Sequence, residues 1–167
     1  THFILDSWKN QILASDTPKY VMIHDNNILS FGEKHFRDVV DTLCEAKRPI
    51  IFNGGFDVRY WNEEYNQLTK KLVMRGLCGN QSIRFAFDSM SQDGKIQSAL
   101  KDVSEYYNKL EEVLIYTLVN NSAIEDCKYR TSEIARLGAY PFVQIYTPLD
   151  YTDEDVFKYR GKNWHPE

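Results

Sequence analysis

Short apolar runs alternate along the chain with longer segments in which apolar residues recur at every third or fourth position. The runs are nearly continuous and rich in β-branched and aromatic residues, so each one predicts a strand that is buried on both faces. The predicted strands are residues 19–24, 50–52, 83–87, 113–119 and 141–146.

The segments between these strands predict amphipathic helices. In residues 33–47, for example, Phe36, Val39, Val40 and Leu43 fall on one helical face, with charged residues between them. The other predicted helices are residues 3–15, a helix capped by Asn62 and continuing to about Leu77, a helix that starts between Ser91 and Lys95 and runs to about Lys109, and segments at about 123–137 and 152–160.

Strands that alternate with helices of this length predict a parallel sheet whose strands are joined by right-handed crossovers and covered by helices. No linker, low-complexity stretch or charge block interrupts residues 1–167. We therefore predict an α/β fold of about five parallel strands, folded as a single domain.

Composition narrows the class of protein. The net charge of −4 argues against a broad nucleic-acid-binding surface. No apolar run approaches the roughly 20 residues of a membrane helix, and the N-terminus lacks a secretory signal pattern. Cys44, Cys78 and Cys127 are too widely spaced to indicate a disulfide framework or a metal site. These features favour a cytoplasmic protein with reduced thiols, no metal, and no nucleic-acid or membrane partner.

Short polar side chains follow the predicted strands. Parallel α/β proteins bind ligands at the carboxyl ends of their strands, so these residues are the candidates for a site. Those that follow the first four strands are His24, Asp25, Asn26 and Asn27; Asn53, Asp57 and Arg59; Asp88 and Ser89; and Asn120 and Asn121.

These residue types suit a zwitterionic or nucleoside ligand. Asp25 can accept hydrogen bonds from an ammonium group, Arg59 can hold a carboxylate bidentately, and Asp88 can accept both hydroxyls of a ribose. Asx residues after strands also cap helices and close turns, and for any single Asn that structural role is the simpler interpretation. Gly54–Gly55 fits either a turn or a close approach of the backbone to a ligand.

Five segments of the chain, taken in order, resemble the radical S-adenosylmethionine superfamily. The likeness extends from about Trp8 to Tyr159. More narrowly, the chain resembles bacterial and phage members in which the strand after the cluster segment ends on Asp-Asn-Asn. The segments are IHDNNIL, PIIFNGGFDVRYW, IRFAFDS, VLIYTLVN and LGAYPFVQIY.

The resemblance implies a partial (β/α) TIM-type barrel. In that family a 4Fe–4S cluster, held by a CxxxCxxC loop, reductively cleaves S-adenosylmethionine, and the resulting 5′-deoxyadenosyl radical abstracts a hydrogen from a small-molecule or peptide substrate. By position, Asp25, Asn26 and Asn27 would meet the methionine amino group, in place of the family's Gly-Gly-Glu segment. Asp88 would bind the ribose. The residues that would line the S-adenosylmethionine or substrate pocket are Asn53, Arg59 and Asn120.

The chain contains no CxxxCxxC motif. In the family this motif precedes a helix like residues 3–15, so we expect residues 1–167 to be the C-terminal part of a partial barrel, without its first strand and cluster loop. We then expect no cluster and no radical activity on this chain alone. We also expect an open sheet edge at residues 19–24, through which the chain self-associates or which a terminal segment covers.

Two other interpretations remain open. The first is a cluster-less α/β module that binds S-adenosylmethionine or a nucleotide without catalysis. The second is an unrelated barrel-type enzyme that uses Asp25 or Asp88 as a general base.

Overall fold

The computed structural model describes residues 7–14, 20–25, 27–72, 83–106, 110–120 and 122–147. Within these ranges, helices and strands alternate along the chain. The α-helices are α1 (Trp8–Leu13), α2 (Glu33–Ala46), α3 (Glu63–Thr69), α4 (Lys95–Ser104) and α5 (Ile124–Arg136), and the strands are β1 (Val21–Ile23), β2 (Ile50–Phe52), β3 (Ile83–Ala86), β4 (Val113–Val119) and β5 (Tyr140–Ile145).

Every strand pairing in the described residues is parallel and joins strands that are consecutive in the chain. β1 pairs with β2, while β3, β4 and β5 form a second sheet in that order. An isolated parallel bridge between Phe56 and Phe85 lies between the two sheets, and the Phe56 N–H donates to the Arg84 carbonyl at 2.8 Å. The α/β fold with about five parallel strands is confirmed, as two parallel sheets of two and three strands.

The two faces of the strands have different surroundings. Side chains alternate along a strand, and Ile50 and Phe52 of β2, like Ile83 and Phe85 of β3, belong to the main hydrophobic core. Arg84 therefore points to the opposite face, together with its register partner Leu114, which is buried outside that core.

Aromatic rings form the centre of the core. Phe36 of α2 contacts the rings of Phe52, Phe56 and Tyr65 at centroid distances of 6.2, 5.9 and 5.4 Å, and Phe36 and Phe56 are almost completely buried. Burying a side chain of this size stabilises the fold by roughly 1.5–3 kcal/mol. The periodicity that predicted α2 therefore corresponds to its contact with the sheet.

The start of α3 and the bounds of α4 test two predictions made from the sequence. The Asn62 side chain accepts a hydrogen bond from the Tyr65 N–H at 3.0 Å, which confirms the predicted cap of α3. The helix predicted to start between Ser91 and Lys95 begins at Lys95, and it is shorter than predicted. Gly94, at φ +77°, precedes the first turn of α4, and the helix ends at Ser104. A separate 3-10 turn at Met90–Gln92 occupies the start of the predicted segment.

β5 departs from the prediction of strands buried on both faces. Phe142, Val143 and Ile145 are 41, 49 and 70% exposed, and within the described residues β5 pairs only with β4. None of the helices in the described ranges combines the length and apolar character needed to cross a membrane. The predicted final helix, the first residues of the helix at 3–15, and Asn26 lie outside the described residues.

Candidate functional site

A chain of hydrogen bonds connects the carboxyl ends of β1 and β2. Asp25 Oδ1 accepts from the Asn27 backbone N–H at 3.0 Å, as in an Asx turn. The Asn27 side chain then donates from Nδ2 to Asp57 Oδ2 at 3.3 Å. The structure thus brings Asp25, Asn27 and Asp57 together, and Asp25 has the turn-closing role that is usual for Asx residues after strands.

The other side-chain atom of Asn27 has no partner among the described residues. A carboxylate can only accept, so the bond to Asp57 fixes Nδ2 towards Asp57 and leaves Oδ1 pointing elsewhere. Asn27 Oδ1 is buried and accepts no hydrogen bond from the described part of the chain. A buried acceptor without a donor costs free energy unless a ligand or water supplies one.

The guanidinium group of Arg59 binds the Asp57 carboxylate through two nitrogens. Its Nε donates to Asp57 Oδ1 at 2.9 Å, its Nη2 donates to Oδ2 at 2.6 Å, and its backbone N–H donates to Oδ1 at 2.9 Å. Burial raises the pKa of Asp57, but the hydrogen bonds from Arg59 outweigh it and hold that pKa below its usual range. Arg59 therefore already holds a carboxylate bidentately, and that carboxylate belongs to its own loop.

Asp88 lies beyond β3 and bonds to the neighbouring strand. Its Oδ1 accepts from the Leu118 N–H of β4 at 2.8 Å. Burial raises its pKa, and the charge of Asp57 raises it further, against the opposing effects of the Leu118 hydrogen bond, Arg130 and Arg59. The charge of Asp57 thus acts on Asp88, and the pKa values of the two carboxyls move in opposite directions.

Asn53 faces a different set of neighbours at the end of β2. Its Nδ2 lies 3.4 Å from His24 Nδ1, which acts as the acceptor because an amide nitrogen can only donate. This contact agrees with the interpretation of His24 as a strand-end residue bonded to its neighbours. Arg84 Nη1 reaches Asn53 Oδ1 at 3.4 Å.

Asn120 follows the last residue of β4 in the left-handed region, at φ +71°, and is 8% exposed. A non-glycine residue in this conformation is uncommon, and Asn is among the residues that tolerate it best. The structure therefore connects three residues of the predicted set, Asp25, Asn27 and Arg59, through Asp57. Asp88 lies within electrostatic range of Asp57 and Arg59, Asn53 lies beside Arg84, and Asn120 adopts the left-handed conformation directly after β4.

Two buried arginines near this edge were missed from the sequence. Arg130 of α5 is fully buried, and it donates from Nη1 to the Phe87 carbonyl at 2.6 Å and from Nη2 to the Leu118 carbonyl at 2.9 Å. Arg84 is 5% exposed and lies in the middle of β3. A charged residue inside the otherwise apolar run IRFAF was a signal that could have identified Arg84.

A cleft of about 700 Å³ lies beside β1. It is lined by residues from Tyr20 to Asp25, together with residues of α1 and α2. His35 lines it too, with its ring 5.8 Å from that of Trp8 and 5.3 Å from that of Phe31. Burial lowers the pKa of His35, although the nearby Asp25 and Asp38 oppose that shift. The cleft has the size of a small-molecule site.

The two described cysteines contact groups of the protein itself. The Cys44 thiol, exposed on α2, donates to the Lys71 carbonyl at 3.7 Å, and Cys127 is buried on α5, 3.3 Å from Arg130 Nη2. No group of three His, Cys, Asp or Glu side chains in the described residues is arranged to hold a metal ion. This part of the chain does not fit a 4Fe–4S cluster.

The fold and the site define an α/β protein with consecutive parallel strands and a polar, hydrogen-bonded carboxyl edge. No protein family, no curated protein and no solved structure matches the chain.

Proposed function

We propose that the carboxyl ends of the parallel strands bind S-adenosylmethionine, in a partial (β/α) barrel that forms part of a radical S-adenosylmethionine enzyme. In such enzymes S-adenosylmethionine supplies a 5′-deoxyadenosyl radical when the cluster reduces it. This chain would hold only the adenosyl and methionyl groups, because its described cysteines do not fit a cluster.

The single observation that supports this most directly is the unpartnered Oδ1 of Asn27. It is a buried acceptor in the loop after β1, and the methionyl ammonium is a donor that would satisfy it. Asp57 lies on the other side of the same amide, at 3.3 Å from Nδ2, and this bond keeps Oδ1 turned away from Asp57 and available to a donor. Asn27 also belongs to the Asp-Asn-Asn segment that the family resemblance aligns with the methionine amino group.

Asp88 would take the ribose hydroxyls. Its carboxylate is partly buried and bonded to the Leu118 N–H at 2.8 Å, which holds it in one orientation. An oriented acidic side chain at a strand end is the group that dinucleotide-binding folds use for ribose. Arg59 would act indirectly, since its fork keeps Asp57 ionised beside Asn27.

Titration calorimetry with two ligands tests the proposal. S-adenosylmethionine carries the ammonium group, whereas 5′-methylthioadenosine lacks it. We expect Asn27→Leu to lower the affinity for S-adenosylmethionine about tenfold, as loss of a hydrogen bond to a charged group implies. The affinity for 5′-methylthioadenosine should be unchanged. Asn10→Leu, at an exposed position of α1, is the matched control. Absence of binding of S-adenosylmethionine to the wild-type chain, or equal weakening of both ligands, would contradict the proposal.

A second measurement separates the enzyme from the cluster-less alternative. The gene sequence upstream of Thr1 either contains a CxxxCxxC motif or does not, and its presence supports the radical enzyme. Anaerobic reconstitution of residues 1–167 with iron and sulfide, followed by an absorbance scan, should give no stoichiometric cluster. S-adenosylmethionine binding without any upstream motif would favour the module that binds without catalysis.

A further inference from the structure

Arg84 is a buried cation whose guanidinium is poorly bonded. The residue is 5% exposed, and its side-chain hydrogen bonds within the described residues all come from Nη1, to the Phe52 carbonyl at 3.4 Å, the Asn53 carbonyl at 3.5 Å and Asn53 Oδ1 at 3.4 Å. These distances are at the weak limit for hydrogen bonds. Nε is buried and has no partner in the same part of the chain.

Arg130 is a second buried arginine, and its hydrogen bonds have a structural role. Its two terminal nitrogens reach main-chain carbonyls at 2.6 and 2.9 Å and the Ser122 hydroxyl at 3.2 Å. These bonds connect α5 to the ends of β3 and β4. The Nε atoms of both arginines are buried and donate no hydrogen bond within the described residues, so the two residues differ in their terminal nitrogens. In the same part of the chain Arg84 bonds only through Nη1, at distances that are all longer than those of Arg130.

No ion pair in the described residues involves Arg84. Taking a guanidinium out of water without a partner costs several kcal/mol, and its five N–H groups match the oxygens of a carboxylate or phosphate. The acids at the carboxyl edge have other partners, since Asp57 is held by Arg59 and Asp88 by Leu118.

The surrounding loop brings Arg84 close to the surface. Asn53 contacts Arg84 and is only half-buried, and Gly54, which follows it, is exposed. Gly55 is packed so tightly on Arg84 that an added Cβ would lie 3.0 Å from the Arg84 carbonyl oxygen. The loop therefore holds Arg84 at a fixed place beneath an exposed turn.

We propose that Arg84 is the anchor of an oxyanion site, which takes a carboxylate or phosphate group of a ligand on the face of β3 opposite the main hydrophobic core. Nε and Nη2 supply the donors, and Asn53 orients the guanidinium through its contacts with Nη1. The site does not depend on the adenosyl ligand proposed above, because neither Asn27 nor Asp88 takes part in it.

Titration of the full chain with acetate or with inorganic phosphate, against chloride at constant ionic strength, tests this site. We expect one of the two anions to raise the melting temperature of the wild-type chain. We expect Arg84→Met to raise the apparent dissociation constant at least about tenfold, as loss of charge-assisted hydrogen bonds implies. Arg37→Met, which removes an exposed arginine of α2, should leave the response unchanged. The anion that acts distinguishes a carboxylate site from a phosphate site.

Nuclear magnetic resonance of the arginine Nε–H groups keeps the test independent of how well Arg84→Met folds. One Nε–H signal of the wild-type chain should shift with the active anion and saturate at the same concentration as the melting temperature. The site is refuted if neither anion changes the wild-type chain more than chloride does, or if Arg84→Met responds as the wild type does. Since these probes contain no adenosine, their failure leaves the calorimetric test of S-adenosylmethionine unaffected.

Discussion

The Asn27 side chain donates to Asp57 at 3.3 Å, although the two residues are thirty positions apart in the chain. This bond joins the loop after β1 to the loop after β2. It also orients the amide, and so leaves the buried Oδ1 of Asn27 directed away from Asp57.

Replacing Asn27 by Ala should have a modest effect on stability. The change removes a hydrogen bond to a charged acceptor, which is worth about 1.5–3 kcal/mol, but it also removes a buried oxygen without a donor. We therefore expect urea unfolding to show a loss of about 1 kcal/mol. Asn10→Ala, at an exposed helical position, should cause no loss. A loss equal in both variants would mean that the bond to Asp57 contributes nothing.

Asp88→Asn should make the protein more stable at neutral pH. The folded-state pKa of Asp88 is raised, chiefly by burial, so the ionised carboxylate destabilises the fold above its ordinary pKa, and Asn keeps an oxygen for the Leu118 N–H. The gain should therefore be present at pH 7 and should vanish as the pH falls through the ordinary pKa of 3.8.

Thermal unfolding of wild type and Asp88→Asn between pH 3 and pH 8 measures this difference. Asp41→Asn, at an exposed position of α2, is the control and should show no pH-dependent gain. If Asp88→Asn is less stable than wild type at pH 7, the ionised carboxylate stabilises the fold and burial does not dominate its pKa. A gain in stability together with weaker S-adenosylmethionine binding is the result expected for a functional acid.

Ionised Glu133, unlike ionised Asp88, should stabilise the fold, and loss of this contribution should favour unfolding in acid. Hydrogen bonds from Arg136 and Gln97 lower the pKa of Glu133 to about 2, so its ionised form stabilises the fold above the ordinary pKa of 4.5 and that contribution is lost as the pH falls towards 2. Glu133→Gln should therefore lower the melting temperature at pH 7 and approach the wild type near pH 2. Glu125→Gln, whose partner Lys128 is also on the surface, should cost little at any pH.

Gly55→Ala should lower the free energy of unfolding more than Gly94→Ala does. Both glycines have positive φ, +73° and +77°, which costs an Ala about 1 kcal/mol. An added Cβ at Gly55 would also lie 3.0 Å from the backbone oxygen of Arg84, whereas at Gly94 nothing lies within 4 Å. We expect Gly55→Ala to lose about 1–3 kcal/mol more than Gly94→Ala in urea unfolding. Equal losses would show that the loop moves away from Arg84 freely.

The exposed strand β5 should promote self-association. Ile145 is 70% exposed on a strand that pairs with β4 alone in the described residues, and such edges invite pairing with other chains. We expect light scattering to show a mass that rises with concentration, and Ile145→Lys to reduce that rise. Ser132→Lys, on the exposed side of α5, adds the same charge and should not. A monomeric wild-type chain at all concentrations would contradict the prediction.

The sequence by itself determined the helices, the parallel strands and the polar residues that end them. Phe36, Val39 and Val40 recur with the period of a helix, and the Asn62 cap acts within three residues, so these features depend on neighbours close in the chain. Within each sheet, consecutive strands pair in parallel because the connecting helix returns the chain to the end of the sheet where the previous strand began.

The tertiary structure alone decided which polar residues meet. Arg59 and Asp57 are two residues apart, but no pattern in the sequence indicates that Arg59 closes on Asp57 instead of remaining open for a ligand. The contacts of Asn27 with Asp57, of Asp88 with Leu118 and of Arg84 with Asn53 each span about thirty residues. Such contacts depend on how whole strands pack against one another, and a pattern with the period of a helix or a strand carries no information about them.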